Sequence, residues 1–289
     1  MVGCDDEAGP VVPFAMPYQP FDVPEPLRFA IKGFWHNHIE FAELPMGFEV
    51  LPDGYAEIIF HFGSACSVAT LDGLQPLPSP FLMGLLGQPV TLHAAGRVEI
   101  IGIKCFPWAV FELLGLPAAG PGVVRHLEHA IAQLHAPLAA CLQAGRVTEA
   151  LALAAEYFEQ LPLPVAGANT VLTKAGKALR AAKGTLPVSE VAAAAHATVR
   201  TLERKFKESS GHTVKDVSGL IRFEQVRNQL WLQPDASLAG LAHDLGYADQ
   251  AHLSREFRRY SGTTPAAFAR HAKQLRLAAG PDFVAFLQA

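Results

Sequence analysis

The chain has 289 residues, half of them apolar, and a formal net charge of −4. That is enough for about two domains, each with its own core, and since no stretch approaches twenty uninterrupted apolar residues, a membrane-spanning helix is excluded. The charge is divided unevenly: residues 1–169 carry six Lys and Arg against seventeen Asp and Glu, a balance of −11, whereas residues 170–276 carry seventeen against nine, a balance of +8. Only the second part suits a polyanionic partner such as nucleic acid. The four cysteines, Cys4, Cys66, Cys105 and Cys141, contain no C-x-x-C pair, so packed free thiols are expected rather than a disulfide framework or zinc site. No basic segment leading into an apolar run marks a secretory leader, and a cytoplasmic protein is expected.

Pro10–Pro26 is proline-rich and reads as extended or disordered. Strand-like runs rich in β-branched and aromatic residues follow at Leu27–Glu40, Ala56–Phe62, Ser64–Leu71, Phe81–Leu86, Val90–Ala94 and Val98–Phe106, separated by turn residues. That spacing predicts a β-barrel or sandwich. His36 and His38 on one strand, with Glu43 beyond, are weak candidates for a cupin-type metal site. The glycine and proline spacing of that motif is missing, and His61 and His93 are only candidates for a last ligand, so no metal and no cofactor is expected. No serine or cysteine sits in a nucleophile elbow or beside a recognisable base, and no phosphate-binding glycine loop occurs, which argues against an enzyme.

Helices are expected from Trp108 to Leu116 and over 127–161, the latter broken near Gly145 into an antiparallel pair. These helices either cover one face of the β domain or form a homodimer interface. Leu161–Ala168 reads as a linker, and Asn169–Ala182 as a helix with Val171, Leu172, Ala175 and Leu179 inward.

From Leu186 to Pro265 the chain repeats one unit. Ala192 corresponds to Ala242, and after one extra residue in the turn Leu202, Arg204, Phe206 and Gly211 correspond to Leu253, Arg255, Phe257 and Gly262. Each copy reads as helix, tight turn, helix, with Thr198 and Asp249 as N-caps. In the first copy Val199, Leu202 and Phe206 are spaced for a buried face, with Arg200, Arg204 and Lys207 opposite. In the second, Leu253 and Phe257 point inward and Ala251, Arg255 and Arg258 outward. A joining helix is expected over Lys215–Leu232, in which Arg222 and Arg227 either contact phosphate or pair with Glu224. An apolar tail, Phe283–Leu287, closes the chain.

The segments VAAAAHATVRTLERKFKESSGHT (191–213) and LAHDLGYADQAHLSREFRRYSGTTPAAF (241–268) resemble the two halves of the DNA-binding domain of AraC/XylS transcription regulators. The resemblance implies an α+β protein: an N-terminal β-barrel or sandwich domain with a helical subdomain (1–165), a C-terminal all-α domain of two helix-turn-helix units joined by a long helix (166–276), and the tail (277–289). In such domains the two units enter successive major grooves of double-stranded DNA. By position, Arg200, Glu203, Arg204, Gln250, Ala251 and Arg255 are the implied base readers, with phosphate contacts expected at Thr198, Thr201, Lys207, His252, Arg258 and Arg259. Two departures stand out: His196 replaces the usual turn glycine, and Val214 and Val217 replace the usual proline and aromatic residue. Histidine tolerates a positive φ better than most residues, so the first turn is expected to form. LPDGYAEIIFHFG and VEIIGIKCFPWAVFELLGLPAAG resemble more loosely the β-rich domain of one group of these regulators, with Trp108 where that group tends to have glycine. A small-molecule effector, a homodimer and contact with RNA polymerase are the partners this resemblance suggests. The alternative reading is a cupin-like metal-binding enzyme or metal sensor with a helical appendage.

Overall fold

The computed structural model describes residues 19–41, 46–116, 124–162 and 170–279, apart from the side chains of Gln19, Met46 and 275–279. Ten strands are found among them: β1 (Gln19–Phe21), β2 (Ile31–Glu40), β3 (Met46–Val50), β4 (Ala56–Gly63), β5 (Cys66–Thr70), β6 (Gly73–Pro76), β7 (Phe81–Met83), β8 (Val90–Ala94), β9 (Arg97–Cys105) and β10 (Val124–His126). They form two sheets, in the orders β1-β2-β9-β4-β7-β10 and β3-β8-β5-β6, and every pairing is antiparallel. The β half of the molecule is therefore a sandwich.

Successive side chains on a strand point to opposite faces, and both faces of the larger sheet are apolar. Ile59, Phe81, Met83 and Val98 meet Phe48, Cys66, Val90, Leu92 and Ala94 of the smaller sheet. Phe34, Ile58, Phe60, Leu82, Ile101 and Ile103 belong to the core on the other side, with α1 (Val110–Leu113), α2 (His135–Gln143) and α3 (Val147–Glu159). Gly145, at φ 69°, separates α2 from α3 as expected. The α3 residues Ala150, Leu151, Ala154, Ala155 and Phe158 are buried, and the Phe158 ring lies 6.0 Å from that of Phe34 in β2. These helices do cover the β domain.

β1, β3, β6 and β10, each of three to five residues, are not predicted by the sequence pattern. The first long strand starts later than its pattern predicts, since Leu27 lies in a single 3-10 turn, Glu25–Leu27. The linker region 163–169, most of the proline-rich segment, Cys4 and the apolar tail lie outside the described residues. Cys66 and Cys105 are buried free thiols, and burial pushes the Cys66 thiol up to about 11. Among the described residues no helix is long and apolar enough to cross a membrane.

The C-terminal half consists of α4 (Val171–Ala181), α5 (Val188–Ala194), α6 (Val199–Ser210), α7 (Val214–Leu232), α8 (Leu238–Asp244), α9 (Gln250–Ser261) and α10 (Pro265–Ala279). The joining helix α7 buries Val214, Val217, Leu220, Ile221, Phe223, Val226 and Leu230, and α4, α6, α9 and α10 pack against it. Its first turn is closed by a capping box: Thr213 Oγ1 accepts from the Asp216 N–H, and the Asp216 carboxylate accepts from the Thr213 N–H.

One hydrophobic core runs from the β sandwich into this helical domain. Trp108, 2% exposed, stacks on Phe106 at 5.2 Å and lies 6.0 Å from Phe206 of α6. It passes so close over α4 that a Cβ on Gly176 would fall 2.2 Å from the indole ring. Glycine at 176 is what admits the indole.

Beside this wedge, the turn before β4 docks on α4 and α7 through charge. Arg180 donates to Gly54 O at 2.7 Å and to the Glu224 carboxylate at 2.6 Å, with its guanidinium 3.9 Å from the centre of the Tyr55 ring. Arg227 donates to Pro52 O at 2.9 Å. Lys104 pairs with Asp53 at 2.8 Å and Glu57 at 3.4 Å. Burial alone would raise the Asp53 carboxyl, but Lys104 and Arg227 outweigh it and hold the group below the usual carboxylate range. Glu224 therefore pairs with Arg180, and not with Arg222 or Arg227, which the sequence left open between a pairing with Glu224 and a contact to phosphate.

Candidate nucleic-acid interface

Each recognition helix is set by its turn. His196 in the first copy has φ 53°, and Gly246 at the equivalent place has φ 67°. The histidine thus adopts the left-handed conformation that glycine supplies in the second copy, as expected. Two residues on in the first copy and three in the second, an extended residue caps the following helix with its side chain: Thr198 accepts from the Thr201 N–H at 3.2 Å, and Asp249 from the His252 N–H at 2.6 Å. Leu202 and Phe206 in α6, and Leu253 and Phe257 in α9, are buried. Both helices end in a left-handed glycine, Gly211 and Gly262.

This buried register leaves Arg200, Arg204 and Lys207 of α6 exposed, and Gln250, Ala251, Arg255, Arg258 and Arg259 of α9 likewise. Arg204 forms an exposed pair with Glu208 one turn on, at 2.7 Å. Such a pair contributes about 0.3–0.5 kcal/mol, little enough for a phosphate or base edge to displace it. Arg255, the counterpart of Arg204, has no ion-pair partner among the described residues. The phosphate candidates Thr198 and Thr201 lie at the positive end of α6 and are bonded to each other at 3.0 Å. His252 sits in the first turn of α9, its ring edge-on to Tyr247 at 5.3 Å, and Arg259 lies 5.3 Å from the Tyr260 ring.

Glu203 and Val199 stand apart from the other outward residues of α6. Glu203 is half-buried, and its carboxylate accepts the backbone N–H of Val214 at 3.2 Å. It thereby satisfies an N–H at the start of α7 that the usual proline would not have carried. Val199, expected on the buried face, is 43% exposed. Its spacing fits the apolar stripe, but the first residue of α6 projects past the core.

Arg222, left open between phosphate and an internal partner, is internal. It donates to Gly184 O at 3.0 Å and to the Glu256 carboxylate of α9 at 3.1 Å, and lies 5.2 Å from the Tyr247 ring. This half-buried pair ties the joining helix to the second recognition helix, and its Glu256 arm was too distant in sequence to be read.

The metal candidates do not assemble. His36 Nε2 lies 3.0 Å from the Glu99 carboxylate, His38 is exposed, and Glu43 falls outside the described residues. Among the described residues no three His, Cys, Asp or Glu side chains are grouped so as to hold a metal ion.

A family model described as a helix-turn-helix domain matches residues 173–271, and one described as a domain of unknown function (DUF6597) matches residues 19–120. The chain is similar to ToxT from Vibrio cholerae O395, solved with bound (E)-4-(8-methylnaphthalen-1-yl)but-3-enoic acid. The identity is 11% over 83% of this chain and 100% of that one, with a TM-score of 0.48. It is also similar to a regulator with an AraC-type DNA-binding domain from Chromobacterium violaceum, at 24% identity over 36% of this chain and 93% of that one, TM-score 0.34. The C-terminal domain of AraT, a response regulator from Geobacillus stearothermophilus, matches at 20% identity over 35% and 84% of the two chains, TM-score 0.33. No curated protein matches. With its duplicated capped helices and its joining helix, the C-terminal part of this chain is a helix-turn-helix domain of the AraC type over residues 173–271, preceded by a DUF6597 domain over residues 19–120.

Proposed function

We propose that this regulator reads two successive major grooves of one DNA face, α6 in one and α9 in the next, under the control of its N-terminal domain. The observation that carries the reading is the matched register: Arg204 and Arg255 occupy equivalent exposed positions on two helices whose buried residues also correspond. Arg200, Arg204, Gln250, Ala251 and Arg255 contact base edges, guanidinium to guanine and amide to adenine. Glu203 acts mainly by holding the start of α7, and touches a base only if it releases Val214. Thr198, Thr201, Lys207, His252, Arg258 and Arg259 bind phosphate.

The N-terminal domain receives the controlling signal, as a small-molecule effector or a second copy of the chain, and passes it on through Trp108 and the 52–55 turn. A homodimer through 127–161 would use the half-exposed Leu153 and Tyr157, because the Leu151, Ala154, Ala155 and Phe158 row is already spent on the sandwich. The protein acts in the cytoplasm, with RNA polymerase as the partner of an activating form.

Selection of bound sequences from a random duplex pool tests the reading. A site with one or two half-sites is expected, with log affinity falling linearly with log salt as phosphate counterions are released. Arg255→Ala should cost about 1–3 kcal/mol on that site and relax one position. Lys207→Ala and Arg259→Ala should weaken all sequences alike. Failure to bind any duplex at low ionic strength would overturn the proposal.

A further inference from the structure

Three large hydrophobic side chains stand well exposed among the described residues: Leu71 and Leu74 around the β5–β6 hairpin, and Val199. Val199 is the one placed on a recognition helix. Its position does little for folding there. A β-branched residue is a weak helix former, the helix start is already capped by Thr198, and a side chain 43% exposed gives up much of its burial energy.

Its place in the repeat is informative. The register that aligns Leu202 with Leu253 and Arg204 with Arg255 also aligns Val199 with Gln250, the first residue of α9. The N-terminal residues of a recognition helix are the ones that reach base edges in the major groove. Gln250 offers an amide there, suited to adenine. Val199 offers only methyl groups, and the one apolar feature of the major-groove edge is the C5-methyl of thymine.

We infer that Val199 is a specificity-determining residue that selects thymine by methyl contact, next to the base read by Arg200. The inference rests on the proposal that α6 enters the major groove. The two copies then read unlike bases at equivalent positions, one through apolar contact and one through hydrogen bonds.

The test uses the full chain and the duplex site obtained by selection, with each thymine replaced singly by uracil, which differs from it only in lacking the methyl group. At one position in the α6 half-site the wild-type protein is expected to bind the uracil duplex about fourfold more weakly, the weight of one methyl taken out of contact. In Val199→Ala that replacement should have no effect, whereas Gln250→Ala should keep the full dependence. Val199→Thr, which keeps one methyl, should keep part of it. Thermal unfolding of each variant is measured alongside, and an exposed residue should leave it unchanged. If every methyl dependence seen in the wild type persists in Val199→Ala, or if no thymine methyl matters in a site that is bound specifically, Val199 is not a reader although the groove assignment stands. If no duplex is bound, the groove assignment falls and the inference with it.

Discussion

In the first helix-turn-helix copy the N–H of Val214 is met by the Glu203 carboxylate; in the second the same place is held by Pro265, which has no N–H, and Glu203 is replaced by Ser254. Thr213 and Thr264 precede them and cap the following helices alike, accepting from Asp216 and Ala267 at 3.1 and 3.2 Å. The supports around the copies differ as well. The first leans on the β domain through Trp108 against Phe206, and His212 faces the backbone of Leu85. The second is held from within its own domain, by Arg222 on Glu256, Phe223 on Phe257 and Phe257 on Phe268. Duplicating the helix-turn-helix unit has not duplicated what holds it: among the described residues the first copy meets the N-terminal domain through an aromatic contact, whereas the second only brings Gly262 near Pro89.

The largest test of that asymmetry is Trp108→Ala, expected to cost about 3–5 kcal/mol, the range for an emptied aromatic site. Denaturant unfolding measures the loss, and footprinting should show it concentrated on the half-site bound by α6. Protection lost equally from both half-sites would mean that the β domain supports both copies. Gly176→Ala pushes on the same contact from α4 and should cost about 1–3 kcal/mol through overpacking.

A smaller effect, also about 1–3 kcal/mol, is expected for Glu203→Ala, which leaves the Val214 N–H buried without a partner. Val214→Pro removes that donor at a helix position where proline is well tolerated. In the double variant most of the Glu203 loss should vanish, converting the first junction to the chemistry of the second. Simple additivity of the two substitutions would reject this account of Glu203.

The smallest effect is on pH dependence. Burial depresses the His212 ring below its ordinary 6.5, aided by Lys207 and opposed by Asp216 and the Leu85 backbone. A histidine whose folded-state value is lowered leaves stability intact above 6.5 and removes it as the pH falls through the folded value, at no more than about 1.4 kcal/mol per pH unit for one proton. His212→Thr, which copies Thr263 of the second unit, should flatten the stability profile below pH 6.5. An unchanged profile would show that His212 does not titrate against folding.

The repeat was legible in sequence because both copies carry the same local signals: a left-handed turn residue, a side-chain cap and buried residues three and four apart. Those signals follow from short-range backbone geometry, so even the His196 departure could be read correctly. Val199 was misplaced because helical spacing records which side a residue lies on but not where along the helix the core ends. Arg180, Glu224 and Gly54 meet across 44 and 126 residues, and no local pattern encodes such a meeting. The strands missed were short, and Gly73 and Pro76 at the two ends of β6 made it resemble a turn. Trp108 stood out only as a substitution for glycine; its role depends on Gly176, sixty-eight positions away.

That Trp108 and Gly176 form a lock and keyhole across two matched domains bears on how such chains can be recombined. An N-terminal domain that carried no indole at position 108 would leave a slot open above α4. A C-terminal half expressed alone would expose Phe206 and the floor of that slot to water. The unit of exchange in this protein is the pair of domains, cut together or not at all.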